Sequence, residues 1–439
     1  MKNRIHDVLI IGGGLVGASL ACALDGSGLD VALVEAEPPR ASVIPDADAR
    51  SLGLAAASLN ALEALGVARH FPIQPTPIRR IHVSRRGDFG SVAMRAEDYG
   101  RAAFGGVIPA PALGAALQSR VHELTRLTHC TSARLIAVRD GIDAREADIV
   151  RDGITTTLRA RLLVGADGTA SFVRDTLGIG ATRHDYEQQL FAGSVRASRR
   201  SDGQAWERFT DDGPMALLPR AAGDFGCICT VPRDDAERVA ALDDAGFIAL
   251  LQVRFGWRAG RFVGVGRRVG YPLRQLVAER LVASRAVLMG NAAQTLHPVG
   301  AQGFNLGLRD ALTLAELVGD AALHGGDVGI GALLDAYTQR RTEDRQQTIQ
   351  FSDGLARLTS NPSLPLRMIR SFAFNALDAL PDLRASLVGG AMGFRGVVPA
   401  LARDVQYRDG QMTLHSLRSP RADGSAGAAS TRFANGMKP

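Results

Sequence analysis

Asp7-Val8-Leu9-Ile10-Ile11-Gly12-Gly13-Gly14-Leu15-Val16-Gly17 and, after it, Val31-Ala32-Leu33-Val34-Glu35 decide the fold of this 439-residue chain. The apolar run 8–11 predicts a parallel strand that is buried on both faces. Three glycines follow in the spacing G-x-G-x-x-G, which allows a tight turn, a close approach of backbone amides to a pyrophosphate and close packing of the next helix. Glu35 closes the second strand, where a carboxylate can bind ribose hydroxyls. The stretch therefore predicts a unit that holds the ADP part of a dinucleotide.

The same segment has some features of a signal peptide. Residues 8–24 carry no charge, and Lys2 and Arg4 precede them. Against that, Asp7 directly adjoins the apolar run and small residues interrupt it, whereas a membrane span needs about 20 mostly apolar residues. We expect an uncleaved, cytoplasmic N-terminus.

The composition is that of a globular protein with a substantial core. A length of 439 residues, 46% of them hydrophobic, predicts two or three domains of about 150 residues each. The net charge of +6 would suit a nucleic acid, but the arginine pairs are scattered and are not interleaved with aromatic residues. We therefore expect no nucleic-acid partner.

Cysteine and histidine give no sign of a metal site. The four cysteines include no C-x-x-C pair, and the nine histidines show no H-x-x-x-H spacing. Cys227 and Cys229 alternate along a predicted strand, so both thiols should face one side as small buried groups. We expect no metal ion.

Short alternating runs mark two departures from the α/β pattern, at 78–92 and, more extensively, at 180–280. A long β insertion in a nucleotide-binding domain is typical of a substrate lid. The predicted divisions are a nucleotide-binding domain in three parts (1–77, 100–179 and 281–345), a β excursion (78–99), an inserted, mainly β substrate domain (180–280), C-terminal helices (346–415) and a disordered tail (416–439).

One predicted C-terminal helix, 367–387, is amphipathic. Its apolar side carries Met368, Ile369, Phe372, Phe374 and Leu377. Such a face packs as core against the nucleotide domain, or it docks on a membrane surface or a partner protein.

Two further places favour a ligand. Arg50 precedes an alanine-rich helix, where it could reach a cofactor phosphate or ring, or simply face solvent. Asp167 and Gly168 follow the apolar strand 160–166, so they lie at the carboxyl edge of the predicted parallel sheet. Open α/β sheets bind their ligands at that edge.

A second informative stretch covers residues 286–310. A buried strand leads into Gly290-Asn291-Ala292-Ala293, a Pro/Gly loop at 297–303 and a long helix from about 304 to 322. The amides at the start of that helix can stabilise an anion, such as a reduced flavin ring. His297 could act as a general base, although a histidine before a proline in a loop is more often structural.

Together these motifs resemble the single-component FAD-dependent aromatic hydroxylases. Residues 290–298, with 206–210 and 213–219 upstream, are similar to the ubiquinone-biosynthesis branch of that family. The resemblance implies a Rossmann-like FAD-binding domain with a parallel sheet, an inserted mainly β substrate domain and a C-terminal helical segment. The FAD-binding residues it implies are Gly12, Gly14, Leu15, Val16, Gly17, Glu35, Arg50, Asp167, Gly168, Gly290, Asn291, Gly303, Phe304 and Asn305.

The resemblance also implies the reaction. NADPH or NADH reduces FAD, O2 adds to give a C4a-hydroperoxide, and an electron-rich phenol attacks it; the substrate would be 2-polyprenyl-6-methoxyphenol and the product the benzoquinol. The catalytic residues expected are His297, Pro298, Gln302 and Gly303, and the substrate residues expected are Phe209, Pro214 and Leu217. Two alternatives stay open: an oxidase or reductase of another amphiphile, and a non-catalytic flavin-binding subunit. Other ubiquinone-biosynthesis proteins would be partners, and the protein would be cytoplasmic or peripheral at the inner face of the membrane.

This chain departs from the family pattern at two positions. Asn291 stands where most relatives have Asp, so it can hydrogen-bond but brings no charge. The usual order Ala-Gly-Gln-Gly is replaced by Gly300-Ala301-Gln302-Gly303, and a positive φ at position 301 would strain an alanine.

Overall fold

The computed structural model describes residues 4–38, 50–360 (without the side chains of 356–360), 380, 385 and 388–403, and the backbone of 405–408 and 411–414. The α-helices are α1 Leu15–Ala23, α2 Ala56–Ala64, α3 Ala110–His122, α4 Phe172–Thr176, α5 Ala236–Ala240, α6 Asp244–Phe255, α7 Gln302–Leu323 and α8 Gly331–Ser360. The strands are β1 Ile5–Ile11, β2 Val31–Glu35, β3 Ser51–Ala55, β4 Thr76–Pro77, β5 Arg80–Arg85, β6 Ser91–Arg95, β7 Gly105–Pro109, β8 Leu127–Thr131, β9 Arg134–Arg139, β10 Arg145–Arg151, β11 Ile154–Gly165, β12 Ala181–Ala197, β13 Gln204–Thr210, β14 Gly213–Pro219, β15 Phe225–Pro232, β16 Phe262–Val265, β17 Val269–Ala278, β18 Val282–Ala283, β19 Ala286–Leu288, β20 Gln294–Thr295, β21 Val405–Arg408 and β22 Gln411–Leu414.

The nucleotide-binding region is built on an eight-stranded sheet. Its main path is β18-β19-β11-β1-β2-β8, and β1 runs parallel to both β11 and β2. The apolar residues of β1 from Val8 to Ile11 are at most 5% exposed, because α1, α3 and α7 contribute to the same core cluster. The predicted Rossmann-like parallel sheet is thereby confirmed.

One strand of this sheet is longer than predicted. The sequence suggests separate strands near 153–158 and at 160–166, whereas β11 is continuous from Ile154 to Gly165. Its first half pairs antiparallel with β10 and its second half parallel with β1 and β19. The expected break is wrong because no glycine or proline interrupts the segment, and β10 escaped prediction because four of its seven residues are charged.

The substrate region is a nine-stranded sheet in the order β20-β17-β12-β15-β14-β13-β5-β6, with β16 added to β12. Its outer face carries a hydrophobic cluster that includes Phe247, Leu251 and Phe255 of α6. Cys227 and Cys229 both belong to that cluster and are free thiols, as predicted for one face of a strand.

The inner face of this second sheet meets the nucleotide-binding region. Gly226 of β15 packs against Ser51 of β3, where an added Cβ would lie 2.5 Å from the serine Oγ. Beside it, the Arg50 guanidinium lies 5.4 Å from the Tyr271 ring centroid. A third, three-stranded sheet, β3-β7-β4, lies at this junction. The two regions therefore contact each other along this inner face.

The C-terminal predictions stay largely untested. Helix α8 continues to Ser360, but Met368, Ile369, Phe372, Phe374 and Leu377 lie outside the described residues, as does the segment 416–439. No helix in the described part of the chain is both long and apolar enough to cross a membrane.

Candidate functional site

The glycine turn has the geometry that its spacing predicts. Gly12 has φ +103°, and a side chain there would overlap the carbonyl oxygen of Ala166, one residue before Asp167. A side chain at Gly17 would overlap the carbonyl oxygen of Gly12. These glycines are therefore required for the turn to touch the end of β11, and that contact places the Asp167 motif beside the glycine motif.

Gly14 serves a different purpose, since a Cβ added there would meet no protein atom within 4 Å. It is exposed, has ordinary backbone angles and caps α1 without a side-chain hydrogen bond, so the first amides of the helix are open to a ligand. Gly303 in the first turn of α7 also faces open space. Two uncapped helix starts with side-chain-free approaches fit the two phosphates and the ring system of FAD.

Glu35 is held in place by backbone amides. Its Oε2 accepts a hydrogen bond from Gly13 N at 2.6 Å and its Oε1 accepts one from Glu37 N at 2.8 Å. This fixes the carboxylate beside the glycine turn, where the ribose ligand was predicted. The sequence reasoning missed Gln118, whose Nε2 donates to Gly13 O at 3.0 Å and so ties α3 to the turn.

The Asp167 carboxylate forms hydrogen bonds within the protein. It accepts hydrogen bonds from Ser171 Oγ at 2.5 Å and from Val173 N at 3.0 Å, and Ser171 in turn caps α4. Gly168 follows with φ +84° and open space beside it. Asp167 therefore shapes the turn at the sheet edge, and its contact with FAD stays a prediction.

Val16 joins the two motif regions of the sequence. A Cβ at Gly290 would lie 3.0 Å from Val16 Cγ2, and one at Gly307 would lie 2.7 Å from the same atom. Gly290 itself has φ +56°. The side chain of Val16 packs toward α7 and that of Leu15 toward α3, and the contact of both residues with FAD stays a prediction. Asn291, next to Gly290, is exposed.

The loop before α7 shows the strain expected at Ala301. Ala301 has φ +52° and ψ +36°, a left-handed conformation, and it directly precedes α7; Gly300 before it has φ +73°. The structure makes room for the alanine methyl at β3, because a Cβ at Gly53 would stand 3.0 Å from Ala301 Cβ. The missing side chain of Gly53 thus accommodates the unusual order of this loop.

We expect Gly53→Ala to destabilise the protein by about 1–2 kcal/mol, because its methyl would press on that of Ala301. Ala301→Gly should remove the collision and relieve the left-handed alanine, so the double variant should recover most of the loss. Urea unfolding of the single and double variants measures the coupling. Strictly additive effects would contradict a direct contact between these methyl positions.

Asn305 is a structural clamp. Its Oδ1 accepts hydrogen bonds from Ala55 N and Ser58 Oγ, and its Nδ2 donates to Gly53 O and Ala301 O, at 2.7–2.9 Å. The side chain is 1% exposed and has no capacity left for a ligand. The predicted FAD contact of Asn305 can therefore involve its backbone alone. Gln302, also buried, bonds Gly300 O, and Phe304 packs against the core.

His297 is a buried hydrogen-bond donor. Its Nδ1 accepts from Val299 N at 3.3 Å, which assigns the proton to Nε2, and Nε2 has no partner among the described residues. The ring packs edge-on against Tyr186 at 4.8 Å between centroids, and Tyr186 Oη donates to Asp353. In this tautomer neither nitrogen is free to take a proton, so the geometry opposes a general-base role. Pro298 next to it is half-buried.

Burial lowers the pKa of His297 to about 4, with nearby Asp353 offsetting part of the effect. The unfolded chain therefore binds this proton at higher pH than the folded one, so the contribution to stability is complete above about pH 6.5 and is lost as pH falls toward 4. We expect His297→Gln to reduce this acid loss by up to about 3 kcal/mol, measured by urea unfolding at pH 7 and 4.5. The control variant His324→Gln, at an exposed histidine, should lose as much stability at pH 4.5 as the wild type does.

The predicted substrate residues divide between the two faces of the inserted sheet. Leu217 belongs to the outer cluster under α6, so its assignment to the substrate pocket is wrong: strand alternation turns it away from the nucleotide region. Phe209 and Pro214 are cross-strand partners and both are buried. Residues that the sequence reasoning overlooked, Ile228 and Tyr271 among them, occupy the inner face instead.

A buried ionic network supports the second motif from behind. Arg309 and Arg341 both pair with Asp344, at 2.7–3.1 Å, and Arg341 also bonds Asp310 at 2.7 Å. Asp310 accepts in turn from Gln294 Nε2 at 2.7 Å and from Gly290 N at 3.3 Å. The network connects α7 and α8 to the loop that begins at Gly290.

The comparisons with known proteins identify the family. Residues 6–352 match the family model described as an FAD binding domain. The chain is 35% identical to ubiquinone hydroxylase UbiL of Rhodospirillum rubrum, covering 89% of this chain and 90% of that protein. It is 28% identical to 3-demethoxyubiquinol 3-hydroxylase of Escherichia coli, and the match covers 90% of this chain and 100% of that protein.

Solved structures share the fold. p-Nitrophenol 4-monooxygenase PnpA from Pseudomonas putida DLL-E4 superposes with a TM-score of 0.73 at 17% identity, covering 89% of this chain and 98% of that one. The chain belongs to the FAD binding domain family and is an FAD-dependent monooxygenase.

Proposed function

We propose that this monooxygenase hydroxylates the ring of a polyprenylated phenol in ubiquinone biosynthesis, converting 2-polyprenyl-6-methoxyphenol to the benzoquinol. The observation that carries the proposal is the inner face of the inserted sheet. Its apolar cluster is formed by Leu190, Ala192 and Leu273, with Tyr186, Ile228 and Tyr271 packed against it. An apolar wall of this kind suits an aromatic ring with a prenyl chain, and the relatedness to UbiL supports the same substrate class.

The residues of the chain position the reactants in this proposal. Gly12, Gly14, Glu35 and the start of α7 would hold FAD, which when bound activates O2 with electrons from NADPH or NADH. The cluster on the inner face would hold the ring and exclude water. The Nε2–H of His297 would donate a hydrogen bond to an oxygen substituent of the substrate, since the donor is buried and has no partner among the described residues.

A lipid substrate also suggests where the protein works. A polyprenylphenol resides in a bilayer, and the net charge of +6 favours contact with anionic lipids. We therefore include peripheral binding at the inner face of the membrane, and association with other ubiquinone-biosynthesis proteins, in the proposal. Co-sedimentation of the purified protein with anionic and neutral vesicles tests the membrane part.

The direct test has two arms. A deletion strain should accumulate a polyprenyl methoxyphenol and lose ubiquinone, and the purified holoenzyme with NADPH and ¹⁸O2 should place one labelled oxygen on 2-farnesyl-6-methoxyphenol. Normal quinone levels in the deletion strain would contradict the proposal. An FAD-loaded enzyme that fails to hydroxylate even with partner proteins present would point to the non-catalytic subunit, and NADPH oxidation without oxygen transfer to any phenol would point to a reductase or oxidase.

A further inference from the structure

Glu207 occupies an unusual position in the middle of the inserted sheet. It lies on β13 between Val83 of β5 and Ala216 of β14 in the strand register. Side chains alternate along β13, and Trp206 before it packs on the outer face against Phe255. Glu207 must therefore point to the inner face, toward the nucleotide-binding region.

The cross-strand neighbours connect Glu207 to the apolar wall. Ala216 pairs with Ile228 of β15, and Ile228 pairs with Ala192 of β12. Ile228 and Ala192 belong to the cluster that also contains Tyr186, which touches His297. Glu207 and the cluster that Tyr186 connects to His297 therefore lie on the same inner face of the sheet.

No described group compensates the Glu207 carboxyl. It makes no hydrogen bond and no ion pair among the described residues, although it is partly accessible. The surrounding protein desolvates it and raises its pKa to about 8. A desolvated carboxyl without a hydrogen-bond partner costs stability unless a ligand supplies one.

The charged groups of the neighbouring elements are directed elsewhere. Arg208 on β13 donates to Ser84 Oγ on the outer face, and Arg85 on β5 pairs with Asp211 and Asp88. Helix α8 crosses β13 and β14, and its Asp353 accepts the bond from Tyr186 Oη. Among the described residues, burial is the cause that raises the pKa of Glu207.

We propose, on the basis of the proposed function, that Glu207 is the catalytic residue that binds the phenolic hydroxyl of the substrate and takes its proton during hydroxylation. The phenolic O–H bond breaks, its electron pair moves into the ring, and the proton passes to the carboxylate. The ring carbon forms a bond to one oxygen atom of O2 as the O–O bond breaks, and NADPH supplies the two electrons with which the other oxygen atom leaves as water. The carbon then loses its hydrogen as a proton when the ring becomes aromatic again.

The environment makes Glu207 suited to this transfer. A phenol of the tyrosine type has a pKa of about 10, so an ordinary glutamate would be a weaker base by roughly six units. Burial raises the pKa of Glu207 to about 8, so it lies only about two units below the pKa of the phenol. A pKa close to the working pH is the condition for efficient general-base catalysis. A carboxylate with no partner of its own also offers both oxygens to the substrate.

The test uses the holoenzyme with NADPH, O2 and 2-farnesyl-6-methoxyphenol between pH 6 and 9.5. In the wild type, the hydroxylation rate should rise with pH around a midpoint near 8. Glu207→Gln should hydroxylate at least about 100-fold more slowly at pH 8 and lose this pH dependence, while FAD content stays unchanged. Glu237→Gln, at an exposed glutamate of α5, is the matched control and should behave as wild type.

Two further readouts separate catalysis from structure. Because glutamine cannot ionise, Glu207→Gln should be at least as stable as wild type at pH 9 in urea unfolding. Should that variant fold poorly, Glu207→Ala with added formate replaces it, and formate should restore hydroxylation. A Glu207→Gln enzyme within threefold of the wild-type rate and with the same pH profile, or no rescue by formate, would overturn the assignment. A wild-type enzyme that never oxygenates the phenol would instead overturn the proposed function.

Discussion

Replacing Gly14 with alanine should leave the apoprotein folded and weaken FAD binding by about 100-fold, or about 2.7 kcal/mol. The expected result follows from the two properties of this position. Its backbone angles are ordinary for any residue, and the new methyl would contact no protein atom, so stability should hardly change. The same methyl would occupy the approach to the free amides of α1, where the pyrophosphate must come close. Isothermal titration of apoprotein with FAD, alongside thermal unfolding, measures both effects.

Gly17→Ala is the matched control for this prediction. A side chain at Gly17 would overlap the carbonyl oxygen of Gly12, so this variant should lose stability and cofactor binding together. The pair separates a glycine that serves the ligand from one that serves the fold. Equal losses of stability in both variants would contradict the assignment of Gly14 to the cofactor.

Asp344→Asn should cost about 3–5 kcal/mol of the free energy of unfolding, the second large effect we expect. Burial alone would raise the pKa of Asp344, but the guanidinium groups of Arg309 and Arg341 more than offset this and lower it. The side chains of all three residues are at most 3% exposed, so asparagine would leave two buried cations with reduced compensation. Urea unfolding at pH 7 measures the loss.

Asp235→Asn gives the comparison for an exposed ion pair. Asp235 bonds Arg238 on the surface, and its loss should cost less than about 1 kcal/mol. The pH dependence has a definite sign: the Asp344 contribution is complete above its unfolded pKa near 3.8 and is lost as pH falls below that value. An Asp344→Asn variant as stable as Asp235→Asn would show that the network contributes little.

The nucleotide half of the fold could be predicted because its information is local. The apolar run of β1, the glycine spacing and Glu35 lie within 35 residues, and each constrains one backbone feature. The left-handed conformation at position 301 was likewise predictable from the loop sequence. β10 was missed because it lies half-exposed at the side of the sheet and reads as polar.

The inner face of the inserted sheet could not be predicted to the same degree. Strand alternation gives two faces but does not say which one meets the nucleotide region; this is decided by contacts distant in sequence, such as Gly226 with Ser51. For that reason Leu217 was assigned to the wrong face and Glu207 received no role. The hydrogen bonds that satisfy the Asn305 side chain depend in the same way on β3 and α2, which lie some 250 residues earlier in the chain.

The packing of Val16 between Gly290 and Gly307 has a consequence for how the protein folds during its synthesis. The helix that begins at the nucleotide turn finds its neighbours nearly 300 residues later in the chain. At a synthesis rate of about 5–20 residues per second, the ribosome needs on the order of tens of seconds to supply them. The nucleotide site of the nascent chain is therefore complete only after α7 has been synthesised. We expect FAD to bind late in the folding of the protein.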